Sequence, residues 1–284
     1  MRSDGLTVPG RLQYGKRKLK VKNMAFQKGI VKINGAVDDI VFVETKHGYV
    51  VRKKRGATKD RIKTDPKFAR TRENGLEFGR ACKDGKLLRK ALRVLINQSK
   101  DPDVTSRMVA EMMKVIKADP VSRRGARNAM DGNTKFLEGF DFNIHAPLER
   151  TLKVDYTVNV NRVTGDIAVD IPAFDPRVCL ATPPGATHCR IVTGAALVDF
   201  ARKTHSTGTA RSLAIDLNGV DPVSFHESNL VTANGTAPIF VAIGVEFYGV
   251  TNGVEYAILD TSFNALSIVL VDGGPRANGG RINP

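Results

Sequence analysis

Tryptophan is absent from this 284-residue chain, and aromatic residues make up only 6% of it. Broad base-stacking platforms, which need rows of aromatic rings, are therefore a poor expectation. Cysteine is scarce as well. Cys82, Cys179 and Cys189 are an odd number with no C-x-x-C pair among them, which argues against a disulfide framework and against a zinc site. They read most simply as buried apolar residues. No run of about 18 apolar residues occurs, which excludes a membrane-spanning helix. The first residues, Met1-Arg2-Ser3-Asp4-Gly5, lack the apolar core of a secretory signal, so the expectation is cytoplasmic synthesis without a signal peptide.

Catalytic and cofactor motifs are equally thin. Gly79 to Lys86 is one residue too long for a phosphate-binding loop, and Leu87 stands where that loop needs a hydroxyl. The five histidines, His47, His145, His188, His205 and His226, are scattered, with none four residues from another histidine or from a cysteine. His188-Cys189 is the one adjacent histidine–cysteine pair, but neighbours on a strand point to opposite faces. Asp38-Asp39 follows a turn signal and Asp101-x-Asp103 opens a helix, so neither carboxylate pair has a glycosidase or metal-loop context. The chain reads as a binding or assembling protein without cofactor, not as an enzyme.

What is abundant is positive charge, and it is unevenly spread. Residues 1–150 carry 35 Lys and Arg against 17 Asp and Glu, a net of roughly +18; residues 151–284 carry 9 against 12, roughly −3. Self-repulsion on that scale opposes compaction unless something acidic answers it: nucleic acid, an anionic membrane or an acidic protein face. The candidate contact residues fall in four clusters. Arg11, Lys16, Arg17, Lys18 and Lys20 lie on a core-poor arm; Arg52, Lys53, Lys54 and Arg55 follow a strand pattern; Lys59, Arg61 and Lys63 come next; Arg123, Arg124 and Arg127 form the last. No helix-turn-helix, zinc-finger or RRM signature accompanies them.

Patterning divides the chain into a basic arm (1–25), a small antiparallel β unit (26–63), a helical unit (64–146), a β-rich segment (147–272) and a tail (273–284) expected to be flexible unless a neighbour holds it. From Leu19 basic and apolar residues alternate, which gives an extended strand one apolar and one cationic face. Asn34-Gly35 predicts a hairpin turn, and Lys46-His47-Gly48 a second one. Asp65-Pro66 reads as a helix cap, and Gly75 with Gly79 on one helical face suggests close approach of another backbone or a break. Asp101-Pro102 opens a helix with Val104, Met108, Met112, Val115 and Ile116 on one face, stopped by Pro120. Beyond Pro147, alternation predicts strands over 151–160, 167–171, 189–192, 213–217, 238–248, 254–259 and 267–271, with Thr251-Asn252-Gly253 as a strong hairpin turn. That series fits an immunoglobulin-like all-β sandwich, so the expected fold class is α+β: a small N-terminal sheet and helical unit, then the sandwich.

Residues 28–54, with Arg70-Thr71-Arg72-Glu73-Asn74-Gly75-Leu76-Glu77-Phe78-Gly79, Lys86-Leu87-Leu88-Arg89-Lys90-Ala91-Leu92-Arg93 and, later, Ala186-Thr187-His188-Cys189-Arg190-Ile191-Val192, Gly244-Val245-Glu246-Phe247-Tyr248 and Phe263-Asn264-Ala265-Leu266-Ser267-Ile268-Val269, resemble a group of bacterial proteins of unknown function common in Bacteroidetes-type bacteria. The resemblance spans most of the chain and implies a two-part organisation, with no catalytic residues to carry over. The functional expectation is a non-enzymatic structural protein that self-assembles into a filament, tube or phage-like particle through its basic arm and sandwich. Its partners would be copies of itself in a homo-oligomer or polymer. A non-specific nucleic-acid-binding protein using residues 11–63 and 123–127 is the alternative.

Overall fold

The computed structural model describes residues 25–26, 28–29, 32–46, 48–53, 56–258 and 263–274. The chain divides into two compact units, Met1–Ile62 and Lys63–Pro284. It is an α+β protein in which all strand pairing between named strands is antiparallel.

The first unit carries one four-stranded sheet. Strands β1 (Ala25–Phe26), β2 (Gly35–Val37), β3 (Ile40–Thr45) and β4 (Gly48–Lys53) lie in the order β1-β4-β3-β2. The β2–β3 turn is Asp38-Asp39, not Asn34-Gly35: Val37 pairs Ile40, and Asp38 sits at φ 47, a left-handed conformation that a short polar side chain tolerates. Gly35, at φ 134, instead opens β2. The turn after β3 falls where the sequence puts it, with Thr45 opposite Gly48. Helix α1 (Lys59–Thr64) comes next, with no buried residue.

In the second unit Asp65 caps as expected, accepting a hydrogen bond from the Lys67 N–H at 2.9 Å. It opens a 3-10 turn, Pro66–Phe68, that leads into α2 (Ala69–Ala91). This helix runs unbroken through its three glycines. Positions 75 and 79 face open space, and the close approach comes at Gly85, where an added Cβ would lie 3.2 Å from Met108 Cγ. Helix α3 (Arg93–Ile96) and helix α4 (Val104–Lys117) complete the helical layer. The α4 stripe read from the sequence is buried: Val104, Met108, Met112, Val115 and Ile116. Asp101 binds this layer to residues 141–144. Its carboxylate accepts from the Asp103 and Ile144 N–H groups and pairs with Arg107, whose guanidinium also donates to the Asp141 and Phe142 carbonyls.

Helix α5 (Leu148–Thr151) occupies the start of the first predicted strand. The Thr151 hydroxyl donates to the Pro147 carbonyl, so strand β5 is only Thr157–Asn161. Strand β6 (Asp166–Phe174), helix α6 (Pro176–Cys179), strands β7 (His188–Asp199), β8 (Thr204–Arg211), β9 (Ile215–Asp216), β10 (Val223–Leu230), β11 (Ile239–Thr251), β12 (Val254–Ala257) and β13 (Ala265–Asp272) complete the chain. The predicted 213–217 strand thus shrinks to β9, while β8 and β10 are strands the pattern did not reveal. Asn252 and Gly253, at φ 51 and 77, make the expected tight turn between β11 and β12. Beyond Gly274 the tail lies outside the described residues.

Two sheets and the helices make three layers. The larger sheet is built on the pairing of β7 with β11, with β8 and β9 along the outer edge of β7 and β12 and β13 along that of β11. One of its faces meets the helices: Val192, Ala196, Phe240, Ala242, Leu266 and Ile268 share a core with Leu88, Leu92, Met108 and Met112. Its other face meets the smaller sheet, of order β10-β6-β5, through Ile191, Val241, Ile243 and Val245 against Ile167, Val169 and Ile171. Residues 64–146 and 147–272, which composition sets apart, therefore share one core. Alternate residues of β7 and β11 are buried on both sides, which explains their near-continuous apolar runs.

The packing makes two mutational expectations. At Gly208, where β8 meets β10, an added Cβ would lie 2.5 Å from the Leu230 carbonyl oxygen, and backbone cannot swing aside. Gly208→Ala is expected to cost about 1–3 kcal/mol by overpacking, whereas Gly75→Ala, in open helix, is expected to stabilise by about 0.5–1 kcal/mol; thermal unfolding of the two variants should move in opposite directions. Burial opposes ionisation of Asp101, but the Ile144 N–H and the Arg107 guanidinium outweigh it, and its carboxyl is held below the ordinary value. Its contribution is therefore complete above about pH 4 and is lost as pH falls through the folded-state value. Asp101→Asn should lower stability at neutral pH and flatten the acid limb of a stability-against-pH curve.

Candidate interaction surfaces

The predicted contact residues separate into three groups. Arg11, Lys16, Arg17, Lys18, Lys20, Lys54 and Arg55 lie outside the described residues. Arg52, Lys53, Lys59, Arg61 and Lys63 are exposed, as is Arg123. Arg52 and Lys53 are neighbours on β4, so their side chains leave opposite faces of the first sheet. Lys53 stands 3.9 Å from Asp39 with both side chains largely in water, an ion pair of little energetic consequence.

The Arg123–Arg127 segment is tied down by α2. Gly125, at φ 84, donates its N–H to the buried Glu77 carboxylate at 2.8 Å. Arg80 reaches back to the Gly125 and Arg127 carbonyls at 2.7 and 3.0 Å. Arg124 donates to Asn74 and lies 3.5 Å from Glu73, while the Nε of Arg127 is buried. Of the three arginines in this cluster Arg124 is thus structural, its charge answered by Glu73 within the fold. Residues 101–150 carry eight Lys and Arg and eight Asp and Glu, so the positive excess lies wholly within residues 1–100.

The first sheet is the second surface. Register places Val37, Ile40, Phe42, Tyr49 and Val51 on one face, flanked by Lys53 and by Lys32, whose ammonium lies 5.6 Å from the Tyr49 ring centre. Val37 is 57% exposed and Ile40 46%. Among the described residues of 25–62, Val50 on the opposite face is the one buried side chain.

A third surface, not legible in the sequence, lies where the helical layer stops short on the larger sheet. His188 and Arg190 on β7, Glu246 and Tyr248 on β11, Arg211 on β8 and Glu255 on β12 converge there. The Arg190 guanidinium lies 4.6 Å from the Tyr248 ring centre and grips Glu255 with both terminal nitrogens, at 3.0 and 2.5 Å. The hydrogen bond from Arg190 holds the Glu255 carboxyl below its ordinary value, whereas burial pushes that of Glu246 up against the pull of Arg211 and Arg190. His188 stacks on Tyr248, while its neighbour Cys189 is buried on the other side of the sheet. Burial pushes that thiol up to about 12, so it stays protonated at neutral pH. The cluster clamps the β11–β12 hairpin to β7 and borders a cavity of about 260 Å³.

Among the described residues no group of three or more His, Cys, Asp and Glu could hold a metal ion, and no helix is long and apolar enough to cross a membrane. The abortive phosphate-loop stretch, 79–86, is the middle of α2, whose continuous helix leaves no loop to cradle a phosphate. No protein-family model matches the sequence, and no curated protein or solved structure is similar to it.

The division of the last basic cluster is testable. Arg80→Ala removes the donor to two carbonyls beside buried Glu77 and is expected to cost about 1–3 kcal/mol. Arg123→Ala should stay within about 0.5 kcal/mol of wild type. Chemical denaturation of both variants measures the difference.

Proposed function

We propose that this is a non-enzymatic structural protein that assembles with copies of itself, and that the sheet of residues 25–53 is one of its docking surfaces. The observation that carries this reading is the imbalance between the two units. Both large apolar cores are made of residues from Ala81 onward, while the first sheet keeps Val37 and Ile40, on one face, largely in water. Burying one such side chain is worth about 1.5–3 kcal/mol, and small sheets without a covered face are marginal in water. A partner that covers the face supplies what the sheet lacks. The two facing antiparallel sheets of the second unit support, as a finer reading, the immunoglobulin-like arrangement; the helical layer on the larger sheet is an addition to it. A body of that kind with a separate small sheet suits a filament, tube or phage-like particle.

Sedimentation velocity over a range of concentrations tests it. The expected result is mass growing above the 30.9 kDa of one chain as concentration rises, and Val37→Glu with Ile40→Glu should suppress that growth without lowering the melting temperature. A single 30.9 kDa species at every concentration would overturn the reading.

The exposed cations Arg52, Lys53, Lys59, Arg61 and Lys63 favour one second reading, non-specific binding to nucleic acid. If about six phosphates are neutralised, the binding constant for duplex DNA falls with salt at a log–log slope near −5. A slope near zero excludes this alternative.

A further inference from the structure

The proposed assembly leaves a question of charge, since a chain with so basic an N-terminal part needs an acidic surface on its neighbour. The second unit carries one. Strands β5, β6 and β10 hold Asp166, Asp170 and Glu227 and not a single Lys or Arg. Beside β10, the segment from Ser212 to Asp221 walls off a groove of about 610 Å³. Its apolar lining includes Leu213, Val223 and Phe225; Asp216, Asp221 and Glu227 supply carboxylates, and no Lys or Arg lines it. Leu213 is 89% exposed and neighbouring Val220 72%. An exposed Leu213 over a floor that includes buried Phe225, between carboxylates, suits a ligand that is itself alternately apolar and cationic. His226, on the same lining, leans on Asp170, which raises its pKa.

The sequence contains such a ligand. Lys18-Leu19-Lys20-Val21-Lys22 alternates strictly, so as an extended strand it turns Leu19 and Val21 to one side and three ammonium groups to the other. Lysine stems are long enough to curl back toward a flanking carboxylate. The arm joins the first sheet at Ala25, and the seven residues from Lys18 to that point reach up to about 24 Å when extended.

We propose that the groove between β10 and the 212–221 segment receives residues 18–22 of a second copy of this chain. Leu19 and Val21 lie against Leu213, Val223 and Phe225, and the lysines pair with Asp216, Asp221 and Glu227. The inference rests on the self-assembly reading and names the surfaces that meet. Arm and groove are different parts of one chain, so each copy gives one arm and receives another. That contact is heterologous, and repeated it propagates as a filament or closes as a ring.

Charge reversal in the full-length chain tests it by sedimentation velocity at low salt. Asp216→Lys with Asp221→Lys, and separately Lys18→Glu with Lys20→Glu, should each raise the concentration for half-assembly about tenfold or more. An equimolar mixture of the two variants should assemble again, because the native arm of one meets the native groove of the other and the reversed arm meets the reversed groove. The chain carrying all four changes should assemble again. Wild-type assembly that the groove variant leaves unchanged overturns this inference and leaves the self-assembly reading standing; a wild-type chain that never assembles overturns both. A check free of variants uses a synthetic peptide of residues 14–24. Added to wild-type chain it should occupy the grooves and shorten the assemblies, and an unchanged mass distribution contradicts the proposal.

Discussion

The second unit depends on one pairing, the antiparallel ladder that sets Ile239 of β11 opposite Leu197 of β7 and Tyr248 opposite His188. Each strand alternates its side chains between two cores, one shared with the helices and one with the smaller sheet. A register slip of one residue would exchange every apolar contact between the two. The helices, the smaller sheet and the short edge strands are all arranged around that ladder. Where it outruns the helical cover, its residues turn polar, and Arg190, Glu246, Tyr248 and Glu255 replace packing with a charged clamp.

The first unit has no equivalent. Its strands carry enough Val, Ile and Phe to form a sheet, yet Val50 alone among its described residues is buried. Exposed apolar area and an excess of positive charge are both costs, and they occur together within residues 1–100. A neighbour that covers the face and answers the charge removes both. Within the second unit the last basic cluster already obeys that logic, since Glu77 and Glu73 on α2 receive the 124–125 segment.

How much of this was legible in the sequence depended on the range of the signal. The Asp65 cap, the α4 stripe and the Asn252-Gly253 turn are local, set by residues within a few positions, and they appear where the sequence places them. The Asn34-Gly35 turn was displaced to Asp38-Asp39, where Val37 pairs with Ile40 and Asp38 supplies the left-handed residue that the sequence pattern assigned to Gly35. Strands β8 (THSTGTAR) and β10 (VSFHESNL) escaped because their polar residues face water and few apolar ones mark the inner face. Periodicity also cannot say which sheet a helix covers, so the helices read as a unit of their own. The exposed Lys59, Arg61 and Lys63 were visible as a charged cluster. The structural duty of the 123–127 segment was not, because Glu77 and Arg80 lie more than forty residues earlier, and Arg190 meets Glu255 only through the fold.

On the proposed reading, the sheet of residues 25–53 becomes stable only when another molecule covers it. Amide hydrogen exchange measured at a dilution that keeps the chain monomeric, and again in the assembled state, addresses it directly. Fast exchange is expected at Val41, Val43 and Val51 in the dilute chain, against strong protection of β7 and β11, with protection of the first sheet on assembly. Strong protection of β3 and β4 in the dilute monomer would contradict it.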